Sequence, residues 1–245
     1  MPHVHAATCG PVKAESGAKT IPVVELYTSE GCNSCPPADK WFRTLDAGRV
    51  TPLAFHVDYW DYIGWKDRFA DPRFGQRQAE SVRRQNGRVS YTPQVMLDGE
   101  DTRRWSWQLL FDAAVGKSTE RIPRARIAAA ATILPGIVEA EVEIAIPLAG
   151  DRANARVIAA VTESGLSSAV RAGENRGETL QHDHVVRAWA PPQLFAAHAT
   201  SGEWRTRQRL SLPSGANLLR AALVIAVEDT RSGVTLQSVR VPLCG

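Results

Sequence analysis

Residues 21–42 read IPVVELYTSEGCNSCPPADKWF. Ile21 to Thr28 form a short apolar run rich in β-branched residues, and the SEGC that follows is a turn signal, so a buried strand is expected there. Ala38, Trp41, Phe42 and, just beyond, Leu45 recur at helical spacing. Proline is tolerated in a first helical turn because its missing N–H has no intrahelical partner there, so Pro36 and Pro37 mark a helix start. The stretch therefore predicts a strand that turns into a helix through Cys32 and Cys35, with the helix beginning at the second cysteine.

Working outward, Gly48 closes that helix and residues 50–57 (VTPLAFHV) read as a second buried strand. Residues 58–86 are polar and aromatic, with helical turns expected from Pro72 to Arg84. Gln94 to Leu97 form a short strand running into Asp98-Gly99, a strong hairpin signal. A further strand near 102–104 and a helix near 106–116 complete an α/β order with a mixed sheet. Beyond Arg121 the pattern changes to strands at 125–133, 137–146, 155–162, 185–189, 205–212, 218–228 and 235–242, separated by turn signals such as PG and PSG. Seven strands without a long helix predict a β-sandwich. The expected division is an N-terminal extension over 1–19, an α/β domain over 20–120 with a helical and aromatic insertion, and an all-β sandwich-like domain over 121–245.

The composition suits a folded globular protein: 245 residues, 44% hydrophobic and 22% charged. A net charge of +3 with scattered basic residues argues against a nucleic-acid partner. No apolar run approaches the roughly 18 residues that a membrane span needs. The opening MPHVHAATCG lacks the charged start and apolar stretch of a signal peptide. A lone cysteine near each end makes most sense as an extracytoplasmic bridge, so a periplasmic or secreted location is expected, with the export signal absent from this sequence.

Four cysteines, Cys9, Cys32, Cys35 and Cys244, sort by spacing into a close pair and a distant pair. Chain entropy gives roughly 2 kcal/mol for a bridge over the tight Cys32–Cys35 loop and about 5 kcal/mol, as a ceiling, for one joining Cys9 to Cys244. The distant pair is the expected staple and the close pair the better redox centre. At a helix start, unpaired N–H groups and the helix dipole favour thiolate, which makes Cys32 the expected nucleophile. Cys35 would then close on the mixed disulfide and release the substrate. No second CxxC and no nearby histidine accompany the pair, so neither a zinc ligand set nor any cofactor is assigned.

With Thr92-Pro93 directly before a strand and downstream of the dithiol, the chain resembles the thioredoxin superfamily. That resemblance implies a thioredoxin-like fold for the first domain and a cis Pro93 that faces the dithiol and presents backbone to substrate. It also implies that Glu25 exchanges a proton with the second cysteine. The strings VELYTSEGCNSCPPAD, HVDYWDYIGWKDRF, YTPQVMLDG and GENRGETLQHDHVVRAW are similar to an exported bacterial family catalogued as domain of unknown function 1223. This similarity implies the fold and a thiol chemistry but no established role.

Thr92, Tyr59 and Trp60 are candidate substrate-binding residues; the aromatic set Tyr59, Trp60, Tyr62 and Trp65 either walls a groove beside Cys32 or packs the insertion onto the sheet. His182-Asp183-His184 reads as half a metal site or as an interdomain packing motif, and His56 as a core histidine or a neighbour of the dithiol. The leading function is an extracytoplasmic thiol-disulfide oxidoreductase acting on protein thiols or disulfides with an unidentified redox partner. The alternatives are a Cu(I)-binding delivery protein, since soft thiolates select Cu(I), and a non-catalytic binding module.

Overall fold

The computed structural model describes residues 9–197 and 201–244. Along the chain, β1 (Val12–Glu15) precedes β2 (Val23–Thr28), α1 (Pro36–Phe42), β3 (Thr51–His56) and α2 (Pro72–Arg84). These are followed by β4 (Gln94–Leu97), β5 (Glu100–Asp101) and α3 (Gln108–Thr119). Next come β6 (Arg126–Leu134), β7 (Ile137–Ala145), the single-turn α4 (Ala149–Arg152), β8 (Ala155–Glu163), β9 (Leu166–Ala169) and β10 (Thr179–His182). The chain closes with β11 (Val185–Trp189), β12 (Gln193–Leu194), β13 (Glu203–Ser211), β14 (Ala221–Asp229) and β15 (Thr235–Pro242).

Among the described residues these strands form three sheets. The largest has the order β15-β14-β8-β11-β3-β2-β4-β5, with β12 added to β8; a second has the order β1-β6-β7-β13, and β9 pairs with β10 in a third. Burial follows from position. Strands β2, β3 and β14 are buried at every residue, as strands covered on both faces must be, and they are mostly apolar, with Glu25, His56 and Glu228 among their buried polar members. In contrast, β7 alternates, with Val138, Ala140, Val142 and Ile144 inward and Glu139, Glu141 and Glu143 outward. Its inward residues pack with β8, β14 and β15 into the sandwich core.

The expectation of an α/β thioredoxin-like domain followed by a separate sandwich-like domain is corrected by this topology. Among the described residues the fold is mostly β, with 15 strands against four α-helices, and no self-contained α/β core is present. Strand β11, from the second half, lies parallel to β3 through Val185 and Ala54. It thereby joins β3-β2-β4-β5 to β15-β14-β8 in a single sheet. The physical reason lies in β3. TPLAFH is too apolar to end a sheet in water, and an edge strand leaves unpaired N–H and C=O groups that a neighbour must cover. Helices α1 and α3 cover one face of β2 and β4. The opposite face is filled by a core that mixes Tyr27, Phe55 and Phe74 with Ile158, Val186, Trp189 and Val224 from the later strands. Local strand–helix alternation cannot reveal which distant strand continues a sheet.

The first residues described are part of the fold: β1 pairs antiparallel with β6, from Val12 opposite Ala131 to Glu15 opposite Ala128. Cys9 is disulfide-bonded to Cys244, with Cα atoms 4.3 Å apart. A second fastening is ionic and buried. Arg77 of α2 reaches Glu25 of β2 through Nε at 2.8 Å and Glu228 of β14 through Nη2 at 2.8 Å. Tyr27 donates to the other oxygen of Glu25 at 2.8 Å, and Arg156 of β8 donates to Glu228 at 2.9 Å. Burial works against the Glu228 charge, yet the Arg77 and Arg156 guanidiniums hold its pKa down at about 2.

Candidate functional site

Cys32 and Cys35 are joined as a disulfide with Cα atoms 5.4 Å apart, at the turn where β2 gives way to α1. The turn is closed by backbone bonds from Cys32 N to Ser29 O and from Cys35 N to Cys32 O. Cys35 is the helix N-cap and accepts from the N–H groups of Ala38 and Asp39. Since α1 has only seven residues, its dipole is shorter than that of an average helix of about 11 residues.

Both sulfur-bearing residues are completely buried, at 0% exposure. Their cover comes from far along the chain. Asn175 donates its side-chain amide to the carbonyls of Glu30 at 2.8 Å and Cys32 at 3.0 Å, and Glu174 accepts from Asn33 N at 3.1 Å. Glycine makes the close fit geometrically accessible. A Cβ at Gly31 would meet Trp60 Cβ at 3.0 Å, and Gly173 takes φ +74° with Ile63 3.1 Å from where a side chain would begin. Replacing Asn175 with alanine removes two hydrogen bonds of about 1 kcal/mol each, so dithiothreitol is expected to reduce the Cys32–Cys35 bond on the order of thirty-fold faster. Mass mapping of alkylated cysteine peptides over time reads this directly, and an unchanged rate would mean that the segment does not limit access.

The other residues singled out in the sequence divide into those near the dithiol and those elsewhere. The Thr92–Pro93 bond is cis, and the pairing of Gln94 with Tyr27 sets Pro93 beside the end of β2 from which the dithiol turn departs. Trp60 connects the two, donating to Thr92 Oγ1 at 2.8 Å while its Cβ lies over Gly31. Tyr59 donates to Gln78 at 3.1 Å, and burial pushes its pKa up to about 12. Tyr62 is 82% exposed. Glu25 points the other way. It shares its core with Tyr27 and α2 on the face opposite α1, where Arg77 binds it. His182 and His184 both reach α1 but at different residues, Asp39 and Phe42: His184 has φ +57° and stands edge-on to Phe42, with a pKa lowered to about 4 by burial and by Arg240. Between them, Asp183 accepts from Arg43 beside α1 at 3.0 Å.

Directly around the dithiol turn lies a buried polar cluster that the sequence reading did not assemble. Glu30, Asp39, His56, Asp67 and His182 are all buried, with exposures of 7% or less. Asp39 accepts from Thr28 Oγ1 at 3.0 Å, and His56 Nδ1 lies 2.7 Å from Asp67 Oδ2. Asp67 also accepts from Glu30 N at 2.9 Å, and Glu30 accepts from Trp65 Nε1 at 2.7 Å. His182 stands between two carboxylates, 3.5 Å from Glu30 and 3.6 Å from Asp39. Burial alone would depress its pKa, but those two carboxylates outweigh it and raise the pKa to about 9. Asp67 is held below the ordinary carboxylate range: burial opposes this, and the attraction of His56 prevails. The contributing strings SEGC, PPAD, HVDY, GWKD and QHDH are separate in the sequence and meet only in the fold. Periodicity marks none of them as neighbours.

A mostly β protein with a sealed CxxC disulfide set on a carboxylate–imidazole cluster is the class that this geometry defines. The chain belongs to the family described as "Protein of unknown function (DUF1223)", which it matches over residues 23–227. No curated protein matches the sequence. Among solved structures, the chain is similar to protein AGR_C_4864 from Agrobacterium tumefaciens, with 23% identity and a TM-score of 0.60, covering 91% of this chain and 95% of that one. It is also similar to HBP35 of Porphyromonas gingivalis, with 14% identity and a TM-score of 0.65, covering 92% of this chain and 76% of that one. At these identities the likeness establishes the fold alone.

Proposed function

We propose that the protein is an extracytoplasmic thiol-disulfide oxidoreductase in which Cys32 is the nucleophile and Cys35 the resolving cysteine. The observation that carries this reading is the Cys32–Cys35 disulfide itself, which spans three positions and contributes little as a staple. It sits at a strand-to-helix turn under a cover held by the side chains of Asn175 and Glu174. Two disulfides in one chain support an oxidising compartment.

In the reduced protein the Cys32 thiolate attacks one sulfur of a substrate disulfide; that S–S bond breaks, a mixed disulfide forms, and the other substrate sulfur leaves as thiolate. Cys35, after losing its proton, attacks Cys32 Sγ. The intramolecular bond closes and the second substrate sulfur departs, so two electrons have passed from the dithiol to the substrate. The reverse sequence oxidises a substrate dithiol. A partner dithiol or disulfide restores the starting state and sets the working direction. Thr92, Trp60 and Pro93 border the turn and supply the surface on which a substrate peptide would lie once residues 173–177 move aside.

Insulin reduction and refolding of a scrambled disulfide protein, each compared between wild type and Cys32→Ser, test the reading. Wild type is expected to be active in at least one assay and Cys32→Ser to fall to the uncatalysed rate. Equal rates in the two proteins would reject the catalytic role.

A further inference from the structure

The cluster around the dithiol turn has the donor set and spacing of a metal centre. The geometry points to a buried site for one divalent transition ion of the zinc class, ligated by Asp39, His56 and His182. One donor atom from each of these residues lies within 4.8 Å of the other two. The His182 Nδ1 to Asp39 Oδ1 separation of 3.6 Å is too long for a hydrogen bond. It is close to the separation of about 3.4 Å between two ligand atoms that share a tetrahedral ion with bonds of about 2.1 Å.

The unsatisfied atoms point the same way. His56 Nε2 and both ring nitrogens of His182 have no hydrogen-bond partner, although His56 is 0% and His182 2% exposed. Buried polar atoms are normally satisfied, and His56 Nε2 and His182 Nδ1 both belong to the Asp39–His56–His182 group, so an occupant shared by that group would satisfy them together. A proton can serve only one nitrogen at a time, whereas one cation serves all three ligands.

Behind the ligands stands the outer layer that metal sites require. Metal-bound histidines typically give their second ring N–H to a carboxylate. Here His56 Nδ1 lies against Asp67 at 2.7 Å, and His182 Nε2 faces Glu30 Oε1 at 3.5 Å. The second oxygen of Asp39 is held by Thr28. Each ligand therefore has its own orienting partner. Among the described residues, no lysine or arginine bonds to Glu30, Asp39 or Asp67, so the counter-charge to these three buried carboxyl groups comes from the two imidazoles, and a divalent cation held by neutral imidazoles would take over that role. Three protein ligands leave a fourth tetrahedral position for a solvent or substrate atom.

This site is independent of the redox reading, because its ligands are nitrogen and oxygen. The full chain, with both disulfides closed so that no thiol can bind metal, is unfolded in urea, refolded with ZnCl2 and dialysed. Zinc per chain is then measured for wild type, His56→Gln, His182→Gln and the control His184→Gln. The expected result is one ion in wild type and the control and none in the two ligand variants, with a higher wild-type unfolding midpoint that a chelator reverses. Refolding wild type with CoCl2 needs no substitution: intense four-coordinate visible bands without a thiolate charge-transfer band support the site. No retained ion, an octahedral cobalt spectrum, or zinc that persists in both ligand variants through His3, His5 or His198 would overturn it.

Discussion

Arg77→Met is expected to lower the unfolding free energy by about 3–5 kcal/mol at neutral pH, read from the urea midpoint. Arg77 is 7% exposed and binds two carboxylates, Glu25 of β2 and Glu228 of β14. Methionine approximates its volume but leaves both acids in an apolar layer beside Phe55 and Trp189 with less positive charge to balance them. Removing one member of a buried ionic group costs more than the group contributes as a whole, since the remaining charges lose their compensation. The pH dependence carries a sign. Glu228 is depressed from the ordinary glutamate value of 4.5 to about 2 in the folded protein, so its stabilisation is complete above the unfolded value and disappears as pH falls through this window. The wild type should lose stability between those pH values, and Arg77→Met should lose less, because its Glu228 is no longer held so low. A deficit under about 1 kcal/mol at neutral pH would mean that Arg156 and Arg84, whose guanidinium lies 3.6 Å from Glu228, compensate that acid without Arg77.

Opening the clasp between Cys9 and Cys244 is expected to cost up to about 5 kcal/mol, the chain-entropy ceiling for a bridge across 235 positions. The double variant Cys9→Ser, Cys244→Ser reads this without touching Cys32 or Cys35. Denaturant unfolding should shift to a lower midpoint, and the loss should be concentrated where β1 meets β6, since Cys9 lies three residues before β1. Hydrogen exchange across residues 12–15 is the local check. A midpoint within experimental error of wild type would show that the β1 pairing already holds the N-terminal segment.

Much of the element list was legible in the sequence, and the architecture was not. The helix over Pro72–Arg84 and the strands at Gln94–Leu97, Val185–Trp189 and Thr235–Pro242 lie where pattern and punctuation place them. Strands β1, β9 and β10 carried no such signal: VKAE, LSSA and TLQH are short and half polar. Their existence depends on partners that only the fold supplies. The same holds for the sheet, because nothing local to β3 states that its neighbour is β11. Of the site, the cysteines were marked by spacing, whereas Glu30, Asp39, His56, Asp67, Asn175 and His182 were scattered among unrelated strings. Glu25, on the strand leading to the dithiol, was the acid that the thioredoxin resemblance implied. Strand alternation puts it on the far face, and the buried acid on the cysteines' own helix is Asp39.

The bond between Cys9 and Cys244 also alters the topology of the molecule: from one sulfur to the other, the polypeptide is a closed ring. A single proteolytic cut at an exposed turn, such as the one at Gly136, would open the ring without releasing a fragment. The nicked protein would migrate as one species until a reductant is added. The adjacency of Cys9 and Cys244 also invites circular permutation, with a short peptide replacing the clasp and new termini placed in that turn.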